Sequence, residues 1–333
     1  MTQAYNDQLA RREFLARLLK SGTAIAAAAG ISAWFYDGIG PKPGNKDLER
    51  IVLPDFSVPR QAGRVISIVT GRQRAVTVGK AIEMLGGIER FVQPGDRVLI
   101  KPNVAFASPS RLGATTNPEL LEKIIRLCYN PGKARQVIVT DNPINAPASC
   151  FSLSGIEKAA LRAGALVLMP KKSYFKPVTL AGGKLIKDWP VMIESLKKVN
   201  KLIGIAPVKD HHRSAASMTM KNWYGLLGGR RNIFHQDINT IIAELAQLIK
   251  PTLVILDGTE VMVSNGPTGG SLSDLRPMNK MIVSCDQVAA DSYGASLLGL
   301  NVNDIPYLYK AEQAGVGSTQ VESLNPLIDS VTG

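Results

Sequence analysis

From residue 65 onward, short runs of apolar and β-branched residues alternate with stretches whose apolar positions recur every three or four residues. The short runs, at 65–69, 97–101, 136–140, 166–169, 201–205, 253–256 and 280–284, predict strands. Between them, "TTNPELLEKIIRLCY" predicts a helix with Asn117 as its N-cap and Pro118 at its first position, because Leu120, Leu121, Ile124, Ile125 and Cys128 fall on one face. "SGIEKAALRAG" predicts another, opened by Ser154 and closed by Gly164. Strands alternating with amphipathic helices predict an α/β protein. Its sheet or sheets would be mainly parallel, covered by helices and Rossmann-like, either as one body or as two lobes with a cleft between them.

Ligands of such sheets collect beyond the carboxyl ends of the strands, so the residues that follow each strand carry the functional information. They are polar here: Lys101-Pro102-Asn103, Asp141-Asn142-Pro143, Lys209-Asp210-His211-His212, Asp257-Gly258 and Cys285-Asp286. Five strand ends are thus expected to deliver Lys, Asn, Asp and His to one rim. The chain's histidines, His211, His212 and His235, all fall within "VKDHHRSAASMTMKNWYGLLGGRRNIFH".

Composition narrows the partners. With 39 basic against 27 acidic residues the chain carries a formal charge of +12, which favours anionic partners. Aromatic residues make up only 6%, too few for the stacking surfaces of a nucleic-acid binder. Cys128, Cys150 and Cys285 are far apart with no CxxC pair, which argues against an iron–sulfur cluster or a structural zinc site. Gly225, Gly228 and Gly229 allow close backbone approach, but no G-x-G-x-x-G or Walker spacing marks a nucleotide loop.

The opening "ARREFLARLLKSGTAIAAAAGISAWF" resembles a twin-arginine export signal: Arg11-Arg12, then Phe14 and Leu15, then a small-residue-rich apolar run. That run, 21–36, is shorter than the roughly 20 residues that span a bilayer, so a processed signal is favoured over an anchor. The expected organisation is a signal at 1–36, a Pro- and Gly-rich linker at 37–64 lying along the domain surface, and an α/β domain at 65–325. The implied setting is the periplasm, with the twin-arginine translocase as a transient partner.

The motifs "VLIKPNV", "VTDNP", "APVKDHH", "MTMKNWYGLLGG", "RNIFH", "LVILDGTEVMVSNGPTGG" and "CDQVAADSYGASLLGL", in that order, resemble the domain-of-unknown-function 362 family over about 65–314. The resemblance implies no agreed activity. Many members carry a ferredoxin-like module rich in cysteine, and no such cysteine run stands in this sequence. Members typically show Lys-x-His followed by Thr; Lys209 and His211 fit that spacing, with His212 in place of the Thr.

Two chemistries are open to these residues. Lys101, Lys209 and Lys221, with Asn103, Asn222 and Asp257, suit the oxygens of a small anionic ligand. His211 and His235 would then serve as acid and base. Alternatively, His211, His212 and His235 with Asp257 or Asp286 would hold a divalent metal such as zinc, nickel or iron. "MTMKNWYGLL" reads as a helix whose Met218, Trp223, Leu226 and Leu227 enter the core, and "VSNGPTGGSLSD" as a surface turn or a lid. The expected function is an exported anion-binding protein, enzyme or not. Its rival is a non-catalytic accessory subunit of a periplasmic redox or cell-envelope complex.

Overall fold

The computed structural model describes residues 51–332. The strands are β1 (Ile66–Thr70), β2 (Arg97–Lys101), β3 (Gln136–Val139), β4 (Leu166–Val167), β5 (Lys176–Val178), β6 (Trp189–Val191), β7 (Lys201–His211), β8 (Ala215–Ser217), β9 (Leu253–Met262), β10 (Leu275–Ser284) and β11 (Leu327–Ser330). Nine of them form one sheet in the order β11-β1-β10-β9-β7-β2-β3-β4, with β8 hairpinned onto β7; β5 and β6 pair separately. Neighbours from β9 through β7, β2 and β3 to β4 run parallel, and β10 is antiparallel to both of its neighbours. The sheet is therefore mixed, mostly parallel and covered by helices.

Alternation along the strands builds two cores. Leu202, Ala206 and Val208 of β7 and Val254 and Leu256 of β9 face one side, and Ile203, Ile205, Leu253 and Ile255 face the other. A strand buried on both faces needs apolar residues at both parities, which is why these runs read as continuously hydrophobic. Helices Ile238–Leu248, Gln287–Leu297 and Pro306–Gln313 cover the first face, and Arg74–Met84, Pro118–Tyr129 and Ile156–Arg162 the second. Residues 51–332 thus form one unit around one sheet.

Local signals explain most of the elements. Asn117 caps its helix as expected, its Oδ1 accepting from Glu119 N at 2.9 Å and Leu120 N at 3.4 Å. The next helix starts at Ile156 behind Gly155, whose φ of +78° only glycine adopts freely, so Ser154 sits one residue outside the cap. β7, β9 and β10 extend well beyond the predicted runs, because β7 turns into the β8 hairpin and β9 pairs along its length with β10. The one-turn helix Thr219–Asn222 and the 3-10 turn Trp223–Leu226 replace the longer predicted helix, with Met218, Trp223, Leu226 and Leu227 in the core.

One expected strand end goes elsewhere. Because β10 runs opposite to β9 and β7, its carboxyl end lies at the opposite end of the strands from theirs. Asp286 there caps helix Gln287–Leu297 and pairs with Arg60 at 3.2 Å, so neither it nor Cys285 joins the rim. Residues 51–64 carry no helix or strand, but Phe56 is buried, with its N–H donating to Lys250 O at 3.1 Å. The expected export signal, 1–36, and the expected linker as far as residue 50 lie outside the described residues. No helix among the described residues is long and apolar enough to cross a membrane.

Candidate functional site

β2 and β3 are parallel neighbours with Ile100 opposite Val139, so the residues leaving them emerge side by side. Lys101 and Asp141 meet there, Nζ to Oδ1 at 2.7 Å, with side chains only 1% and 2% exposed. Desolvation favours the neutral amine and lowers the Lys101 pKa, while Asp141 pulls the other way. Each hydrogen of the ammonium has an acceptor, since Nζ also donates to Asn222 Oδ1 at 2.8 Å and Pro102 O at 2.9 Å. The Asn222 amide is equally occupied, donating to Lys101 O at 3.2 Å and Ile205 O at 3.1 Å. Asp141 Oδ2 accepts from Val104 N at 2.7 Å. Gly225 closes over the pair: a Cβ there would stand 1.9 Å from Asp141 Oδ1. Lys101 and Asn222, expected to bind ligand, do line the cavity described next, but their hydrogens are already taken by acceptors of the protein, and they tie β2 to β7.

Against this buried pair lies a cavity of about 430 Å³, the size of a small-molecule site. Lys209, Lys221, Arg231, Asn103, His211 and His235 line it, and Asp141 is the one carboxylate in its lining. Lys209 Nζ donates to Ala114 O at 2.6 Å and stands 5.6 Å over the Phe106 ring. Among the described residues neither Lys209 nor Lys221 has a carboxylate within ion-pair distance. Burial, then Lys221 and Lys101, push the Lys209 pKa down to about 7; burial and Arg231 push Lys221 down to about 8. Arg231 lends charge rather than a free fork, because its terminal nitrogens donate to the carbonyls of Tyr224, Leu227, Asn142 and Pro143 at 2.7–3.1 Å. Asn103 is held through its N–H to Thr116 Oγ1 at 2.8 Å.

The histidines differ in tautomer. His211 Nδ1 accepts the N–H of Arg213 at 3.2 Å and of Ser214 at 3.3 Å, which leaves the proton of the neutral ring on Nε2. Burial, then Lys221, His212, His235 and Lys209, hold its pKa down at about 2. His211 therefore offers the cavity a donor, and this arrangement leaves it no lone pair for a proton or a metal. His235 is the reverse. Its Nδ1 lies 3.2 Å from Asn232 O, which can only accept, so Nδ1 carries the hydrogen and Nε2 the lone pair. Tyr224, whose hydroxyl donates to Arg231 O at 2.6 Å, packs edge-on to His235. Burial and Lys221 lower the His235 pKa as well.

Other candidates fall outside the cavity. Asp257 pairs with Arg74 at 2.8 Å and does not line it. His212 is exposed on the hairpin turn, stacked on His211 with ring centroids 5.0 Å apart. No cluster of three or more His, Cys, Asp or Glu side chains able to hold a metal exists among the described residues. The glycine-rich loop is fixed rather than open: Asn265 Nδ2 donates to Asp274 Oδ1 at 2.6 Å and Gly266 packs on the Asp210 carbonyl. Its Pro267 walls the cavity. Asp141 was expected on the rim but without a role of its own; its place two residues beyond β3, a strand parallel to β2, is the signal for its pairing with Lys101.

Comparison with known proteins places these residues in a family. The chain matches the family model described as "Domain of unknown function (DUF362)" over residues 98–296, more than half its length, and belongs to that family. A thylakoid-associated protein of Synechocystis sp. is 27% identical over 260 residues, covering 74% of this chain and 76% of that protein. Among solved structures, the lactate racemase apoprotein from Thermoanaerobacterium thermosaccharolyticum aligns with a TM-score of 0.41 at 12% identity, over 74% of this chain and 61% of that one. A Thermotoga maritima protein aligns with a TM-score of 0.42 at 11% identity, over 69% and 60%. This chain spans less than two thirds of either solved protein.

Two outcomes follow for stability. Asp141→Asn strands a buried lysine and should cost about 3–5 kcal/mol in denaturant unfolding, whereas the Lys101→Met/Asp141→Asn double variant should recover part of that loss. For His211, the unfolded imidazole takes a proton below pH 6.5 and the folded one does not until about 2. Its contribution to stability is whole above pH 6.5 and falls as pH drops through that window. His211→Asn, which keeps an acceptor near Nδ1, should flatten the acid limb of stability against pH, by up to about 1.4 kcal/mol per pH unit.

Proposed function

We propose that the cavity binds a small anion bearing carboxylate or phosphate oxygens. The observation that carries the reading is that Lys209 and Lys221 line one cavity with no carboxylate within ion-pair distance of either, beside an arginine that is also unpaired by acid. Clustered cations desolvated without counter-charge are costly, and an anionic ligand relieves that cost. Lys221 supplies the charged contact, Arg231 the supporting field, and Asn103 and the Nε2–H of His211 neutral donors. His235 Nε2 is the free basic nitrogen, placed to take a proton from the bound molecule.

This reading extends to location: the protein works in the periplasm after twin-arginine export, on the strength of Arg11-Arg12 and the run behind them. The accessory-subunit reading has one observation in its favour, the thylakoid association of the Synechocystis relative. It calls for a stable protein partner and no need of a filled cavity.

Calorimetric titration with oxalate or phosphate tests the anion site. Lys221→Met should weaken binding about tenfold or more, the worth of a charge-assisted hydrogen bond at roughly 1.5–3 kcal/mol, and should not lower the melting temperature of the ligand-free protein. Equal binding by both proteins would exclude Lys221, and no binding by either would favour the accessory subunit. Replacing Arg11 and Arg12 by lysine should retain the protein in the cytoplasm on cell fractionation; unchanged periplasmic recovery would remove the export reading.

A further inference from the structure

We propose that the anion bound in this cavity carries a carbonyl group, as a small 2-oxo or aldehyde acid does, and that Lys209 Nζ captures its carbonyl carbon as a Schiff base. The inference rests on the anion-binding reading and names a substrate class for it.

The two buried lysines of the site are built for different tasks. Lys101 gives all its hydrogens to fixed acceptors and faces a carboxylate at 2.7 Å, so its charge is matched and its nitrogen is blocked. Lys209 gives one, to Ala114 O, stands over an aromatic ring beside two other lysines, and has no carboxylate within ion-pair distance, Asp141 acting on it only as the weakest of the neighbouring charges. A lysine meant only to hold an anion would gain from being charged before the ligand arrives. For Lys209, burial and the neighbouring charges of Lys221 and Lys101 outweigh the opposing pull of Asp141, so the charged form is disfavoured. With its pKa near 7, about half of the molecules carry a neutral amine at that pH, against roughly one in three thousand for an exposed lysine. Desolvation beside other cations is a recognised route to a nucleophilic amine.

The lining supplies what the addition needs. Lys221 and the field of Arg231 hold the carboxylate. The Lys209 lone pair forms the C–N bond as the carbonyl π pair moves onto oxygen, where the Nε2–H of His211 can stabilise it. The nitrogen then loses its two protons in turn through His235 Nε2: the first passes to the oxyanion and gives the carbinolamine hydroxyl, and the second passes to that hydroxyl as it leaves as water. Amine and carbonyl thus become imine and water, with no change of oxidation state.

The test uses the full chain with glyoxylate and sodium borohydride at pH 7, read by intact mass and peptide mapping. We expect one reduced adduct on Lys209, a yield that levels off above pH 7, and none at that peptide in Lys209→Met. Lys221→Met, which keeps the amine, should require about tenfold more glyoxylate for the same yield. Oxalate, which has no aldehyde or ketone, is titrated in parallel. If oxalate binds and Lys209 is modified no faster than exposed lysines, the covalent step is overturned and the anion site stands. If neither oxalate nor glyoxylate binds, both fall.

Discussion

A lysine and an aspartate, each almost wholly buried, can be tolerated at a strand edge only if they meet, and the parallel register of β2 with β3 is what makes Lys101 and Asp141 meet. The pair reaches further than its own contact. Through Asn222 it ties β2 to β7; through Asp141 it holds the backbone at Val104; and it admits only a glycine at 225. The remaining functional groups are arranged around this fixed point, so it acts as the foundation of the cavity while leaving its own charges neutralised.

Two lysines that look alike in sequence are thereby separated. Both end apolar runs and both precede a polar turn, yet one is paired and the other is not. The difference lies in which neighbouring strand supplies an acid. β3 supplies Asp141 to Lys101, whereas the acid of β9, Asp257, turns to Arg74 and leaves Lys209 without one. The basic character of the site is the result of where three acids point, with Asp286 removed to the other end of the strands by the direction of β10.

Much of this was legible beforehand. Short continuous apolar runs marked the central strands because burial on both faces demands apolar residues in sequence, helical patterning marked the Asn117 cap, and the strand-end rule pointed to Lys101, Asn103, Lys209 and His211, all of which line the cavity. The rest depends on pairing partners that a chain does not print. β8 and β11 are short, and β10's direction is set by its hairpin with β9, so the destination of Asp286 could not be read locally. Saturation of Lys101 and Asn222 depends on distances across β2, β3 and β7. Arg231 looks like a solvated loop residue until the carbonyls that surround it are seen.

The opposed tautomers of His211 and His235 add a geometric demand of a different kind. Lys221 offers a charge, His211 Nε2 a donor and His235 Nε2 an acceptor, so the three points of the cavity are chemically unlike and would not be exchanged by turning a ligand over. A molecule read at three unlike points is read for handedness. A flat carbonyl acid seated in this cavity would present one of its two faces to Lys209 and keep the other turned away, so the face open to any later partner would be chosen at the moment of binding.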